Sequence, residues 1–135
     1  MKLEHVAIWT KNLEAMKDFY VKYFNGNPNE KYTDHTYFSS TFESYFLSFD
    51  SEARFEIMQM VDIPDSPYRL GEEHIGLTHF AFSLDTSSEV DTLTEQLRRD
   101  GFRIVSDPKR TGDNYYESCV LDPDGNRVEI TTVPK

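Results

Sequence analysis

The feature that most constrains this chain is that it repeats itself. Its 135 residues contain one order of elements twice. His5-Val6-Ala7-Ile8-Trp9 and His79-Phe80-Ala81-Phe82-Ser83 are short apolar runs rich in β-branched or aromatic residues, and they read as buried strands. Each leads into a helical pattern. Leu13, Met16, Phe19, Tyr20, Tyr23 and Phe24 recur at helical spacing behind a candidate N-cap, Asn12. Val90, Leu93, Thr94 and Leu97 do the same behind Thr86 and Glu89, which have the spacing of a capping box. Both patterns stop at a glycine, Gly26 and Gly101, the residue expected at C′. Each half then runs to a closing hairpin. The turn is weakly marked at Asp50-Ser51-Glu52-Ala53 and strongly marked at Asp122-Pro123-Asp124-Gly125-Asn126. The final strands read Arg54-Phe55-Glu56-Ile57 and Arg127-Val128-Glu129-Ile130. From His5 to Glu56 is 51 residues, and from His79 to Glu129 is 50.

Repetition at this scale predicts two βαβββ modules of an α+β protein, over residues 1–62 and 75–133, joined by a linker over 63–74. Pro64, Pro67 and Gly71 make that join a loop rather than a strand. The aromatic, Ser/Thr-rich stretch from Tyr32 to Phe49 has room for two strands.

Charge removes several classes of partner. With 14 basic and 24 acidic residues the formal charge is −10, which argues against nucleic acid and anionic membrane, because both need a basic surface. No stretch approaches the ~18 apolar residues of a membrane span. The N-terminal segment lacks the apolar core of a secretory signal. The single cysteine, Cys119, allows no internal disulfide, so a reducing cytoplasm is the expected home. Cys119 itself reads as a small core residue. His35 and His74 fall in loop-like, exposed sequence.

Four residues stand out because they recur at matching places: His5, Glu56, His79 and Glu129. Each sits in an otherwise largely apolar strand. A carboxylate facing inward there needs a cation or dense hydrogen bonding. The ordinary alternative is pairing with the nearby Arg54 and Arg127. Two imidazoles and two carboxylates suit a first-row divalent metal, whether zinc, nickel, cobalt, manganese or ferrous iron. Alternation puts Glu56 on one face with Met58 and Met60, and His5 with Ala7 and Trp9. Trp9, Met58, Met60 and Tyr116 are candidates to line a pocket. Lys109 and Arg110, in a basic loop of an acidic chain, are candidates to clamp an anionic substrate group.

In Leu3-Glu4-His5-Val6-Ala7, Phe55-Glu56-Ile57, Leu77-Thr78-His79-Phe80-Ala81 and the ending from Leu121 to Ile130, the chain resembles the vicinal-oxygen-chelate superfamily. That group holds glyoxalase I, fosfomycin-resistance thiol transferases, extradiol dioxygenases, an epimerase and metal-free bleomycin-resistance proteins. The resemblance implies paired modules forming a curved, barrel-like mixed sheet around a metal. It carries the ligands onto His5, Glu56, His79 and Glu129, the order found in glyoxalase I, with nickel or cobalt favoured. It implies a homodimer whose sites take ligands from both chains, and a small carbonyl or hemithioacetal substrate. Glu129, with Glu56, would be the base that removes a proton next to a carbonyl. The sequence departs where glyoxalase I holds glutathione: Trp9 and Met60 stand where the family pattern has Arg and Asn. Other metal chemistry of the superfamily, or ligand sequestration without chemistry, are the rival expectations.

Overall fold

The computed structural model describes residues 1–36 and 40–132. Tyr37, Phe38 and Ser39 of the aromatic stretch, and Val133 at the expected end of the second module, lie outside the described residues. The chain divides into two compact units, Met1–Ser66 and Pro67–Lys135.

The first unit runs β1 (His5–Trp9), α1 (Leu13–Phe24), β2 (Asn27–Pro28), β3 (Tyr32–Asp34), β4 (Phe42–Ser48) and β5 (Arg54–Gln59). Its sheet has the order β1-β5-β4-β2, with β3 also on β4. β2 and β3 pair antiparallel with successive parts of β4, so they act as one interrupted edge strand. Asn29 bridges the break: its N–H donates to the Phe46 carbonyl at 3.0 Å, and its side-chain oxygen accepts from the Phe46 N–H at 2.9 Å. The second unit runs β6 (His79–Leu84), α2 (Ser87–Arg99), β7 (Ile104–Arg110), β8 (Tyr116–Leu121) and β9 (Arg127–Thr132), in the order β6-β9-β8-β7. The α+β class with two βαβββ modules is as expected, and the strands divide into two open sheets, one in each unit. Among the described residues no helix is long and apolar enough to cross a membrane.

Helix limits follow local chemistry. Asn12 caps α1 by accepting the Ala15 N–H at 3.2 Å, and Thr86 with Glu89 forms the expected capping box on α2. Gly101 ends α2 with φ +92°, the left-handed residue expected there. Gly26 does not play that part in α1. Asn25 takes the left-handed conformation, at φ 56°. Gly26 is needed instead for close approach, since a Cβ there would lie 3.2 Å from the Tyr20 carbonyl and 3.3 Å from Leu47.

Each helix covers one face of its sheet. In the first unit Met16, Phe19, Tyr20, Tyr23 and Phe24 bury themselves with Leu47, Phe55 and Ile57. In the second, Val90 and Leu97 are buried with Val120, Val128 and Ile130. A buried hydroxyl pair, Thr94 with Ser118 at 2.7 Å, joins α2 to β8. The opposite face of each sheet is not covered by that unit's helix. β1 accordingly alternates between half-buried and exposed residues, and is not the fully buried strand its composition predicts.

The turn before β9 is held by one side chain. Buried Asp122 accepts the N–H groups of Asp124 at 3.0 Å and Asn126 at 2.9 Å, and the Asn126 amide at 2.8 Å. Replacing Asp122 with alanine leaves those donors unpaired and is expected to cost about 2 kcal/mol. Urea unfolding measures this, and a loss below about 0.5 kcal/mol would show that the turn holds without its carboxylate.

Candidate metal centre

Strand pairing brings each histidine beside a glutamate in the same way twice. β1 runs parallel to β5 with Ala7 opposite Glu56, and β6 runs parallel to β9 with Ala81 opposite Glu129. In both pairs the histidine lies two residues before that alanine. One histidine and one glutamate therefore share the helix-free face of each sheet. His5 Nε2 is 3.8 Å from Glu56 Oε1, and His79 Nε2 is 3.3 Å from Glu129 Oε2. The carboxylates are the more enclosed partners, at 15% and 23% side-chain exposure against 41% and 36% for the imidazoles. Each site thus has an acidic floor and an imidazole rim.

The arginines expected to neutralise these glutamates go elsewhere. The Arg54 guanidinium donates to the Glu4 carboxylate, through Nε at 3.0 Å and through Nη2. Arg127 donates to the Gly71 carbonyl at 3.0 Å and lies 3.8 Å from Glu73. Among the described residues, Glu56 and Glu129 have their histidines as ion-pair partners.

Burial raises the Glu129 carboxyl above the ordinary carboxylate range, and Glu117 adds to the rise; His79 and Arg127 oppose it. Burial also pushes the Cys119 thiol up. Cys119 is enclosed and stands opposite Glu129 on β8.

A divalent ion fits each pair as two neighbouring ligands. Donors held ~2.0–2.2 Å from one ion, at tetrahedral or octahedral angles, stand roughly 2.8–3.6 Å apart. The His79–Glu129 separation of 3.3 Å lies within that range, and the His5–Glu56 separation of 3.8 Å lies just above it. The chemistry of His5 agrees. Its Nδ1 is bonded to the Glu4 carboxylate, which has no proton to give when ionised, so Nδ1 carries the hydrogen. In the neutral ring Nε2 then faces the Glu56 oxygen with a lone pair, an opposition that either a proton or a metal cation between them removes. Each unit supplies two such donors, and among the described residues no group of three His, Cys, Asp or Glu side chains is clustered for a metal.

The pocket candidates divide by strand parity. Trp9 stands opposite Met58 on the face of Glu56. Trp9 meets Phe42 edge-on at 6.0 Å between ring centres, and Phe42 meets Tyr32 at 6.1 Å. Phe46 is opposite Glu56, with its ring 5.3 Å from that of His5. This aromatic row was invisible in the sequence, because it depends on the register of β4 against β5. Met60 follows the end of β5 and is buried. Lys109 pairs with Glu117 on the face of Glu129. It belongs to strand β7 and not to a loop; an edge strand with register shifts tolerates Pro108 there. Tyr116 and Arg110 occupy the other face. The Tyr116 hydroxyl donates to Asp91 of α2 at 2.6 Å, and Arg110 lies over the Tyr116 ring. The structure does not bring those two to His79 and Glu129. A groove lined by Asp91, Thr92, Glu95, Arg98, Asp107 and Pro108 also lies on the α2 side, with Arg98 already paired to Glu95 and Asp107.

Comparison with known proteins agrees with this architecture. The family model described as Glyoxalase/Bleomycin resistance protein/Dioxygenase superfamily matches residues 2–130. The uncharacterized protein YqjT of Bacillus subtilis is 24% identical over 131 residues, covering 95% of this chain and 96% of that one. A glyoxalase family protein from Enterococcus faecalis superposes with a TM-score of 0.74 at 23% identity, over 96% of both chains. A mutant glyoxalase I from Zea mays gives 0.77 at 21% identity, over 99% of this chain and 45% of the maize chain. At these identities the structural likeness establishes the fold.

Proposed function

The chain belongs to the Glyoxalase/Bleomycin resistance protein/Dioxygenase superfamily, and on that premise we propose that it is a metal-dependent enzyme resembling glyoxalase I, acting on a small carbonyl or hemithioacetal substrate. The observation that carries this reading is the His–Glu pair set twice at one register on a helix-free sheet face. In the proposal His5, Glu56, His79 and Glu129 jointly hold one divalent ion, with nickel or cobalt favoured over zinc, manganese or iron. When bound, the ion would supply Lewis acidity that polarises the substrate carbonyl. The Glu129 carboxylate would take the proton from the carbon beside the carbonyl; the C–H electron pair forms a carbon–carbon double bond as the carbonyl pair moves onto oxygen, and Glu129 returns the proton to the former carbonyl carbon while the hydroxyl proton of the first carbon passes to the new alkoxide. Trp9, Met58, Phe42 and Tyr32 favour an apolar, flat substituent over the charged tail of glutathione. Lys109, on the face of Glu129, would be the cation that meets a substrate carboxylate.

Elemental analysis of protein purified without a metal-affinity tag tests the centre. About one metal per four-donor set is expected, lost in His79→Ala. Absence of metal in the wild type, even after loading with nickel, cobalt, zinc or iron, would sink the reading. The aromatic row on the first sheet favours one rival: a protein that sequesters a flat ligand without chemistry. Tight binding of such a ligand by metal-free protein, with no turnover after loading, would select it.

The proposal extends to a cytoplasmic homodimer in which His5 and Glu56 of one chain serve with His79 and Glu129 of the other. Mixing His5→Ala and His79→Ala chains is then expected to restore activity, because a mixed dimer contains one site with both histidines. Each variant alone stays inactive. No recovery on mixing, with mixed dimers demonstrated by mass, would place all four ligands within one chain.

A further inference from the structure

The surroundings of His5 close into a ring of contacts that is not repeated among the described residues of the second module. The His5 Nδ1 meets the Glu4 carboxylate. The other oxygen of that carboxylate takes the Arg54 guanidinium. The guanidinium lies over the Phe46 ring at 4.1 Å, and Phe46 meets the His5 ring edge-on at 5.3 Å. Backbone pairing supports the circuit, since the Arg54 N–H donates to the Glu4 carbonyl at 2.8 Å and Arg54 stands opposite His5 in the sheet. The matching positions of the second module are Thr78, Arg127 and Cys119. There Thr78 turns to Glu73 at 3.3 Å, and Arg127 to the Gly71 carbonyl.

We propose that Glu4 is a positioning residue that sets the tautomer and plane of His5, so that Nε2 and not Nδ1 faces the metal side. The physical basis is the division of labour within the carboxylate. Oε1 is taken by Arg54, and Oε2 is left to accept a hydrogen from the imidazole. A neutral imidazole has one donor nitrogen and one acceptor. Fixing the donor at Nδ1 makes Nε2 the lone pair aimed at Glu56, the state that a metal ligand requires. Phe46 limits rotation of the ring from the other side. The two halves of the repeat are therefore unequal: His5 is held in a binding-ready state by side-chain contacts, whereas Thr78, the residue before His79, turns to Glu73 instead. This inference rests on the metal-centre reading only for its second readout below.

Glu4→Gln is the informative variant, because it conserves shape and reverses the chemistry. Arg54 has only donors, so it retains the amide oxygen and turns the amide NH2 toward His5. That NH2 needs an acceptor, so Nδ1 must lose its hydrogen and Nε2 must carry it. Long-range proton–nitrogen NMR of the metal-free protein, at a pH above the imidazole range, reads the tautomer directly. The expected result is Nδ1–H for His5 in the wild type and Nε2–H in Glu4→Gln. Nickel and zinc affinity, measured by competition with a chromophoric chelator, is expected to fall about 10- to 100-fold in Glu4→Gln. It stays within twofold in the control Thr78→Ala. A Glu4→Gln protein whose His5 remains Nδ1–H, or whose affinity for a metal that the wild type binds is unchanged, overturns the proposal. If the tautomer reverses while the wild type binds neither metal, the circuit is supported and the metal-centre reading falls.

Discussion

Replacing Glu129 with glutamine is expected to lower turnover of a hemithioacetal by about 10²- to 10⁴-fold, the usual share of a positioned base. The change keeps an oxygen donor beside His79 and removes the ability to accept a proton. Metal content at saturating metal and the unfolding midpoint are therefore expected to stay near the wild-type values. Glu129 is suited to this test because it is the more enclosed member of its pair and lies against His79 at 3.3 Å. Its fold environment makes no demand for a charge: neighbours Val128 and Ile130 face the helix side, while Glu129 points away from it. Steady-state assay beside metal analysis separates two failures. Full turnover in Glu129→Gln removes it as the base. Lost metal with lost turnover makes it a ligand first, and leaves Glu56 to be tested as the base in the same way.

Tyr20→Ala is expected to be the most destabilising single truncation in the first unit, at about 3–5 kcal/mol. Tyr20 has no exposed surface. Its ring packs at 4.9 Å from Phe55, 5.0 Å from Phe19 and 5.7 Å from Phe24, joining α1 to β5. Phe55 adjoins Glu56 in the strand, so the cavity would open beneath the His5–Glu56 pair. The loss therefore predicts weaker metal binding as well as a lower denaturation midpoint. Chemical unfolding of Tyr20→Ala beside Val21→Ala, at a residue that is 36% exposed, provides the internal comparison. A difference between the two below about 1 kcal/mol would show that the aromatic cluster relaxes around the gap.

How far sequence reading reached can be judged residue by residue. The helices were readable because apolar spacing and caps are local: Leu13 to Phe24 behind Asn12, and the Thr86–Glu89 box. The closing turn was readable because Asp122 and Gly125 act within five residues. The same locality made Gly26 misleading, since what it accommodates is Leu47 on a strand distant in sequence. Lys109 and Arg110 read as a loop because Pro108 interrupts the pattern, yet an edge strand accepts that interruption. Their neighbouring side chains then fall on opposite faces, which composition cannot assign.

For the candidate site, the sequence by itself determined which residues recur. His5, Glu56, His79 and Glu129 could be picked out because duplication preserves order and spacing, and order is a one-dimensional property. Only the tertiary structure decided what those residues touch. Parallel pairing of β1 with β5 and of β6 with β9 put each histidine beside its glutamate. The register of β4 placed Phe46 opposite Glu56, and Arg54 turned to Glu4 instead of neutralising Glu56. The physical reason is that hydrogen-bond register between strands some fifty residues apart is set by the packing of whole faces. A one-residue slip would carry every side chain of a strand to the other side of the sheet, and no local pattern records which slip is avoided.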